Sequence, residues 1–389
     1  MNKKKKILVL HNRYQIRGGE DIVMEKETEL FSRYFEVETL FFSNIIHSKL
    51  EQIFYLLLGT NYASKKRLEK KLTTFQPDLC YVGNTWFEAS LGIFKVLKKN
   101  NIKTFIKLHN SRHICCDSFF VWRHIKLNQY CSGCGQQRKK LQVLNKNFKN
   151  SIAKSILIIR YGKKYRKILR TYNFKILVLG KFHKERLSQI GVKNNNIEIF
   201  YNFIGLPKPT AEPIISKEKF FLYAGRISAE KGLPELIQTY LSCNFSDIKL
   251  YIVGEGPLMN RLKEDFQNKN VVFHGSLSNR ETLNMISNSI AIVTNSKLFE
   301  GQPTILCEAS ALGVPSIYPD TGSISEFFPD QYKYKFNQFS MEDLREKLLL
   351  FSKEKNAERI GSENRKHILG LLSEDILINK FNNIMNSKT

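Results

Sequence analysis

Two cations framed by glycines stand in one short segment, Gly225-Arg226-Ile227-Ser228-Ala229-Glu230-Lys231-Gly232. Glycine lets the backbone approach a ligand closely, arginine offers a planar fork of donors, and lysine offers a compact charge. Because charge-assisted hydrogen bonds to phosphate oxygens are strong, Arg226 and Lys231 are predicted to clamp a diphosphate. Two solvated surface cations are the alternative, which explains either residue alone better than it explains the framed pair.

A pair of glutamates brackets a second segment, Glu300-Gly301-Gln302-Pro303-Thr304-Ile305-Leu306-Cys307-Glu308. Pro303 and Thr304 are typical of a helix start, whose free backbone N–H groups can bind a phosphate. Glu300 and Glu308 would stand on either side of that phosphate and accept hydrogen bonds from sugar hydroxyls. The segment thus predicts recognition of both parts of a nucleotide sugar. For either glutamate alone, an interaction with the helix dipole is the ordinary explanation.

Two more glycine motifs are predicted to follow strands. Gly18 and Gly19 come just before a predicted helix, where the backbone can present N–H groups to a phosphate. A tight turn explains these two glycines equally well. Gly254 opens the turn Gly254-Glu255-Gly256-Pro257, which places proline at the first position of a helix. That turn has a sufficient structural explanation, and a nucleotide base is a further candidate to lie against it.

Short apolar runs alternate with amphipathic stretches, and each motif comes just after such a run. Continuous apolar runs are typical of strands buried on both faces of a parallel sheet. The predicted strands are Ile7–Leu10, Val37–Phe42, Leu79–Val82, Thr104–Leu108, Ile176–Leu179, Ile197–Phe200, Phe220–Ala224, Lys249–Val253, Val271–His274, Ile290–Thr294 and Pro315–Tyr318. Helices between them imply an α/β fold of doubly wound sheets, which bind ligands at the carboxyl ends of their strands.

A loop with three prolines, within residues 205–213, interrupts this alternation. The length of 389 residues also favours two domains. We predict an amino-terminal Rossmann-like domain at residues 1–205 and a second Rossmann-like domain at residues 206–370. Residues 371–389 are predicted to form a helix that packs back toward the amino-terminal domain.

The three carboxyl-terminal motifs, in this order and each after a strand, resemble the donor-binding domain of family 4 retaining glycosyltransferases of the GT-B fold. The resemblance covers most of the chain. It implies the GT-B architecture, in which two doubly wound Rossmann-like domains face each other across a cleft. It also implies that the carboxyl-terminal domain binds a nucleotide-sugar donor and that the amino-terminal domain takes the acceptor.

The resemblance further implies roles for individual residues of the donor domain. The equivalents of Arg226 and Lys231 stabilise the leaving diphosphate, that of Glu300 contacts the donor sugar, and that of Glu308 contacts the ribose. The remaining candidate donor contacts in this domain are Gly225, Gly254, Gln302, Pro303, Thr304 and Ile305.

In the amino-terminal half, the loop at Gly18 and Gly19 resembles the one that closes over the phosphates. His109 matches a family histidine beside the reacting sugar, so the predicted catalytic set is His109, Arg226, Lys231 and Glu300. The chain departs from the commonest family wording in having Gly301-Gln302-Pro303 after the first glutamate. A second departure, at residues 201–205, leaves Asn202 without an assigned role.

The net charge of +25 is concentrated, because no carboxylate occurs between Asp117 and Glu185 while seventeen lysines and arginines do. Such a field suits an anionic membrane, a nucleic acid or a polyphosphate-bearing substrate. A lysine-rich composition without a function is the alternative. No apolar run approaches the roughly 20 residues that span a bilayer, and the basic start precedes only four apolar residues. We therefore predict a cytoplasmic protein, peripheral at the inner face of the cytoplasmic membrane.

The seven cysteines are scattered, which argues against a secreted disulfide framework. Cys131 and Cys134 form a CxxC with Cys115 upstream, a pattern compatible with a structural zinc site. Free thiols are the alternative. Because no Asp-x-Asp metal signature is present, no cofactor or catalytic metal is predicted to be required.

The combined prediction is a retaining hexosyltransferase of bacterial surface polysaccharide or glycolipid biosynthesis. Its donor would be a UDP- or GDP-sugar and its acceptor a lipid-linked saccharide or an oligosaccharide. A UDP-sugar epimerase of the same fold is one alternative. A nucleic-acid-binding protein that uses the basic residues 118–184 is the other, but it leaves the carboxyl-terminal motifs unexplained. Nucleic acid is therefore not a predicted partner.

Overall fold

The computed structural model describes residues 4–15, 18–44, 55, 58–109, 113, 151–207 and 218–387. The chain forms two compact units, one of Met1–Ile204 with Ile378–Thr389 and one of Gly205–Leu377. Each unit is built around a parallel sheet of six strands with helices between them, so the predicted α/β fold is confirmed.

The first unit contains the strands β1 Lys6–Arg13, β2 Glu36–Ser43, β3 Leu79–Val82, β4 Thr104–Lys107, β5 Lys175–Val178 and β6 Ile197–Ile199. Their order in the sheet is β2-β1-β3-β4-β5-β6. Every residue of β3, β4 and β5 is buried, as their continuous apolar runs predict. The edge strand β2 departs from this prediction, because it has a neighbour on one side only and most of its residues are partly or fully exposed.

The helices of this unit are α1 Gly19–Tyr34, α2 Tyr62–Phe75, α3 Gly92–Lys99, α4 Ile152–Thr171 and α5 Lys181–Gln189. Asn61 and Ser151 begin α2 and α4, where their side chains accept hydrogen bonds from the backbone N–H of Ser64 and Lys154. Such caps satisfy amides that have no partner inside the helix. The helices α2, α3, α4 and α5 bury their apolar faces against strands of the sheet in one shared core cluster.

The second unit contains the strands β7 Lys219–Ala224, β8 Ile248–Val253, β9 Val271–Gly275, β10 Ala291–Val293, β11 Ser316–Asp320 and β12 Lys335–Asn337. Their order is β12-β11-β10-β7-β8-β9. The helices are α6 Leu233–Ser242, α7 Met259–Asp265, α8 Asn279–Asn288, α9 Thr304–Ala311, α10 Met341–Ser352 and α11 Ala357–Leu372. The strand β12 is not predicted from the sequence, because its three residues are too few for a periodic pattern to appear.

The last helix, α12 Glu374–Asn386, passes from the second unit into the first. Phe381 is completely buried and stacks on Phe31 with ring centroids 4.4 Å apart. It also meets Tyr81 and Phe105 edge to face. The end of the chain therefore completes the aromatic core of the first unit. Among the described residues, no helix is both long and apolar enough to cross a membrane.

Candidate active site

The strand order of the second unit reverses between β7 and β10. From β7 the chain runs through β8 and β9 on one side, and it then builds β10, β11 and β12 on the other. At such a reversal the loops after the two central strands turn apart, which opens a crevice at the carboxyl end of the sheet. The Gly225 to Gly232 segment follows β7 and the Glu300 segment follows β10, so both motifs stand at this switch point.

Close backbone contacts hold the loop after β7 against the loops after β8 and β10. A Cβ on Gly254 would lie 1.9 Å from the Gly225 carbonyl oxygen, and one on Gly232 would lie 2.2 Å from the Asn295 carbonyl oxygen. The φ angles are +135° at Gly254 and +65° at Gly232, a region that side chains disfavour. Glycine at these two positions is therefore required by the packing of the loops themselves.

Lys231 and Glu300 meet at the switch point. Nζ of Lys231 lies 2.7 Å from Oε1 of Glu300, and the same oxygen accepts a hydrogen bond from Oγ of Ser296, also at 2.7 Å. The backbone of Glu300 is fixed as well, because its carbonyl oxygen accepts from the Ser323 N–H at 2.9 Å. The two charged side chains are 29% and 20% exposed, so an ordered ion pair remains accessible to a ligand.

Arg226 has a fixed backbone and an exposed side chain. Its carbonyl oxygen accepts a hydrogen bond from the Tyr223 hydroxyl at 2.9 Å. Burial, together with the charges of Glu230 and Glu300, raises the pKa of Tyr223, so this hydroxyl stays a neutral donor. Within the described part of the chain, no carboxylate forms an ion pair with Arg226. Its guanidinium can therefore bind an anionic ligand without first giving up a protein partner.

The helix α9 begins where the sequence predicts. Pro303 precedes it, and the first backbone hydrogen bonds run from the N–H groups of Leu306 and Cys307 to the Pro303 carbonyl oxygen, each at 3.1 Å. The amides of Thr304 and Ile305 come before those bonds, at the positive end of the helix dipole. Glu308 is half-buried one turn further on, and Gln302 is buried.

The first unit carries its own switch point between β1 and β3, where Gly18 caps α1. The Gly18 N–H donates to Oδ2 of Asp21 at 3.0 Å, and Oδ1 of Asp21 lies 2.8 Å from Nε2 of the buried His11. Nδ1 of His11 accepts from the Asn84 N–H, so the proton that faces Asp21 is on Nε2. A Cβ on Gly18 or Gly19 would meet nothing within 4 Å. Unlike Gly232 and Gly254, these glycines are not required by packing.

His109 follows β4, at the same edge of the first sheet. Its Nε2 is buried and has no hydrogen-bond partner among the residues that the structure describes. Burial, with the neighbouring Lys107, His11 and His183, lowers the pKa of His109 well below its ordinary value. The imidazole is therefore neutral at pH 7 and offers a hydrogen bond rather than a positive charge.

The predicted residues thus divide between the two units. The second unit holds Arg226, the contact between Lys231 and Glu300, and the remaining donor-domain candidates, which lie on loops after β7, β8 and β10 or at the start of α9. Gly18, Gly19 and His109 belong to the first unit. Cys115, Cys131, Cys134 and the basic residues up to 150 lie outside the described residues, so the zinc and free-thiol alternatives stay open.

The sequence analysis missed the residues that hold these groups in place. Ser296 fixes the Glu300 carboxylate, and the buried pair of His11 and Asp21 fixes Gly18. One signal was available, because Asn295 and Ser296 are polar residues just after a buried strand, a position that often serves ligands. No comparable signal marked His11, which lies within the apolar strand β1.

Residues 208–367 match the family model described as Glycosyl transferases group 1. The match covers 160 of the 389 residues, all within the second unit. The two-sheet fold of the whole chain is of the GT-B type.

Three proteins are similar to this chain, one in sequence and two in structure. A protein described as a teichuronic acid biosynthesis glycosyltransferase, TuaC of Bacillus subtilis (strain 168), is 27% identical over 186 residues, which cover 47% of this chain and 43% of TuaC. The apo form of the lipopolysaccharide outer core galactosyltransferase WaaB superposes with a TM-score of 0.65 at 18% identity, over 99% of this chain and 100% of WaaB. Anabaena HepE in complex with UDP and glucose superposes with a TM-score of 0.68 at 15% identity, over 99% of this chain and 100% of HepE. The match to TuaC spans less than half of that protein.

Proposed function

We propose that this protein is a retaining glycosyltransferase that moves a hexose from a UDP- or GDP-sugar to a saccharide acceptor in bacterial surface polysaccharide or glycolipid assembly. The observation that carries the proposal is the contact of Lys231 with Glu300 at the switch point. Arg226 lies on the same loop as Lys231 and forms no ion pair among the described residues. TuaC and WaaB support the polysaccharide setting by their names. HepE, which was solved with UDP and glucose, supports UDP as the first nucleotide to test.

The chemistry follows from where charge develops. Departure of a nucleoside diphosphate places negative charge on the leaving phosphate while the sugar approaches an oxocarbenium-like state. Lys231 and the amides at the start of α9 are cationic or dipolar groups already held by the fold, so they meet that charge with little reorganisation. Arg226 adds a second cation on the loop after β7. Glu300, held by Ser296 and Lys231, offers a carboxylate toward the sugar side. Glu308, one turn into α9, is proposed to accept hydrogen bonds from the ribose.

The remaining predicted residues belong to the acceptor-side unit. His109, neutral and with an unpartnered Nε2 among the described residues, is proposed to hydrogen-bond the reacting sugar. The amides of Gly18 and Gly19 are proposed to approach the phosphates. Among the described residues, no atom lies close enough to require glycine at those two positions, so a ligand is a physical reason for their small size.

The acceptor is proposed to be lipid-linked, with the protein peripheral at an anionic membrane surface. The positive field of the first unit motivates this, since seven lysines and arginines and no carboxylate occur in α4 alone. A membrane would bring the enzyme and its acceptor to the same surface.

Donor binding should be visible without any knowledge of the acceptor. In a thermal-shift panel of UDP-, GDP- and ADP-sugars, we expect a UDP- or GDP-sugar to raise the melting temperature, because it binds only the folded state. At a hundredfold excess over its Kd, the ligand adds about 2.7 kcal/mol of stability. The Arg226→Ala variant is the control and should lose most of the shift. If no nucleotide sugar raises the melting temperature, the proposal is contradicted.

Glu300→Gln should separate catalysis from donor binding. The substitution keeps the shape of the side chain and removes the charge that Lys231 and the donor sugar would meet. If the carboxylate acts mainly on the reacting sugar, kcat falls while the thermal shift with donor is retained, since an interaction made only in the transition state appears in kcat. Glu264→Gln, the same change at an exposed glutamate of α7 in the same unit, is the control. An equal loss of binding and turnover would assign Glu300 to ground-state binding instead.

A further inference from the structure

Helix α4 carries a basic face that no part of the proposed transferase site uses. Its 20 residues include seven lysines and arginines and no carboxylate. One side packs on the core of the first unit through Ile158, Tyr161, Tyr165 and Leu169, all buried. Burial of this side fixes which side faces outward.

The outward side is a stripe of four cations and two apolar residues. At about 100° per residue, the positions 152, 156, 160, 163, 167 and 170 fall within about 80° of the helix circumference. These residues, Ile152, Ile156, Arg160, Lys163, Lys167 and Arg170, are called the outward stripe, and all six are exposed. Ile152 and Ile156 are 37% and 48% exposed. Among the described residues, no carboxylate forms an ion pair with the four cations.

A neighbouring segment, residues 58–62, adds exposed apolar side chains beside α4. Nζ of Lys164 donates to the Leu58 carbonyl oxygen at 2.7 Å, which brings residues 58–62 beside α4. Leu58 and Tyr62 there are 43% and 67% exposed. Burial and then the like charges of Arg160 and Lys95 lower the pKa of Lys164. Cations this crowded repel one another, and an anionic surface relieves that repulsion.

We propose that the outward stripe docks the protein on anionic lipid headgroups, with Ile152 and Ile156 entering the interface between headgroups and acyl chains. The cations would contact the lipid phosphates. The two isoleucines favour a bilayer over a nucleic acid, since a phosphodiester backbone offers no apolar layer to cover them. The inference deepens the membrane association proposed above and does not depend on the transferase chemistry.

The test is flotation of the full chain with vesicles of phosphatidylglycerol and phosphatidylcholine, against vesicles of phosphatidylcholine alone. Each cation near an anionic surface increases partitioning about 5-fold, equivalent to about 1 kcal/mol. The combined Arg160→Gln, Lys163→Gln and Lys167→Gln variant should therefore bind on the order of 10²-fold more weakly. Binding of the wild type should weaken strongly between about 0.1 M and about 1 M salt, as the Debye length falls from about 10 to about 3 Å.

Two matched controls separate the stripe from net charge and general hydrophobicity. Lys263→Gln, Lys269→Gln and Arg280→Gln remove three exposed cations from the second unit and should leave binding close to wild type. Ile152→Ser with Ile156→Ser should weaken binding about 10-fold at either salt concentration, because it removes buried apolar area. Leu350→Ser with Ile376→Ser, which are 44% and 39% exposed elsewhere, should not. Circular dichroism confirms that each variant is folded.

Three results would overturn the inference. One is equal binding of the wild type to both kinds of vesicle at both salt concentrations. Another is an equal loss of vesicle binding by the triple variant of the outward stripe and the triple variant of the second unit. The third is a stripe variant that loses binding to a short DNA duplex and keeps binding to vesicles, which would make the stripe a nucleic-acid surface. Vesicle binding needs no donor and the thermal-shift panel needs no vesicle, so either proposal can fail alone.

Discussion

Replacing Arg226 by alanine should lower kcat by about 10²–10³-fold, which corresponds to about 2.7–4 kcal/mol of lost transition-state stabilisation, as for the loss of an oxyanion-hole donor. The structure gives the reason. The guanidinium is exposed at the switch point and, among the described residues, it pairs with no carboxylate. It can therefore meet the charge that grows on the leaving diphosphate. The measurement is steady-state kinetics with the donor that the thermal-shift panel identifies.

Lys231→Ala should have a similar effect on turnover and a small effect on folding. Lys231 and Glu300 are both partly exposed, and ion pairs of that kind contribute about 0.2–1 kcal/mol to stability. The melting temperatures of both variants should therefore stay close to that of the wild type. Arg261→Ala, which removes an exposed cation from α7 in the same unit, is the matched control and should change neither quantity.

Two outcomes would count against the diphosphate clamp. If both alanine variants turn over at rates close to wild type, the two cations do not meet the developing charge. If both variants unfold, the two residues serve the structure of the loop rather than a ligand.

Replacing Lys107 by methionine should cost about 3–5 kcal/mol of unfolding free energy, because it leaves a buried carboxylate without its counter-charge. Nζ of Lys107 lies 3.6 Å from Oε1 of Glu27, and both side chains are almost completely buried. Glu27 also accepts from the Tyr81 hydroxyl at 2.6 Å and from the Phe203 N–H at 3.3 Å. Lys107 donates to the carbonyl oxygen of Phe200. One buried pair thus ties α1 and β4 to residues 200–203.

The environment of this pair also shows that its two charges depend on each other. Burial lowers the pKa of Lys107 to about 8, although Glu27 acts in the opposite direction. Removing one partner leaves the desolvation of the other uncompensated, whereas replacing both removes both charges. The double variant Glu27→Gln with Lys107→Met should therefore recover much of the stability that the single variant loses.

Urea unfolding followed by tryptophan fluorescence measures this effect in the correct unit, because Trp86 belongs to the first unit and the sequence of the second unit contains no tryptophan. Lys71→Met is the matched control, since Lys71 pairs with Glu38 on the surface of the same unit. It should cost less than about 1 kcal/mol. A Lys107→Met variant no less stable than Lys71→Met would show that the buried pair is not important for folding.

Local patterns in the sequence were sufficient to predict most of the strands and the loops that follow them. The buried strands β3 to β5 are largely apolar, and α9 begins directly after Pro303 as its residues indicate. These features depend on neighbours in the chain, because the apolar pattern of a strand and the residues of a helix start lie within a few positions of one another. For the same reason the glycine-framed cations, and the glutamate that follows β10, could be placed just after strands without a structure.

Tertiary structure decided which of those residues meet. Lys231 and Glu300 are 69 residues apart, and they touch because β10 lies beside β7 rather than beside β9. Strand order depends on how all the helices pack on both faces of the sheet, so no local pattern records it. The same holds for Lys107 and Glu27, which read as ordinary charges in the sequence and become a buried pair only when α1 covers the sheet. It also holds for Gly232 and Gly254, because the close contacts that exclude a side chain come from loops distant in sequence.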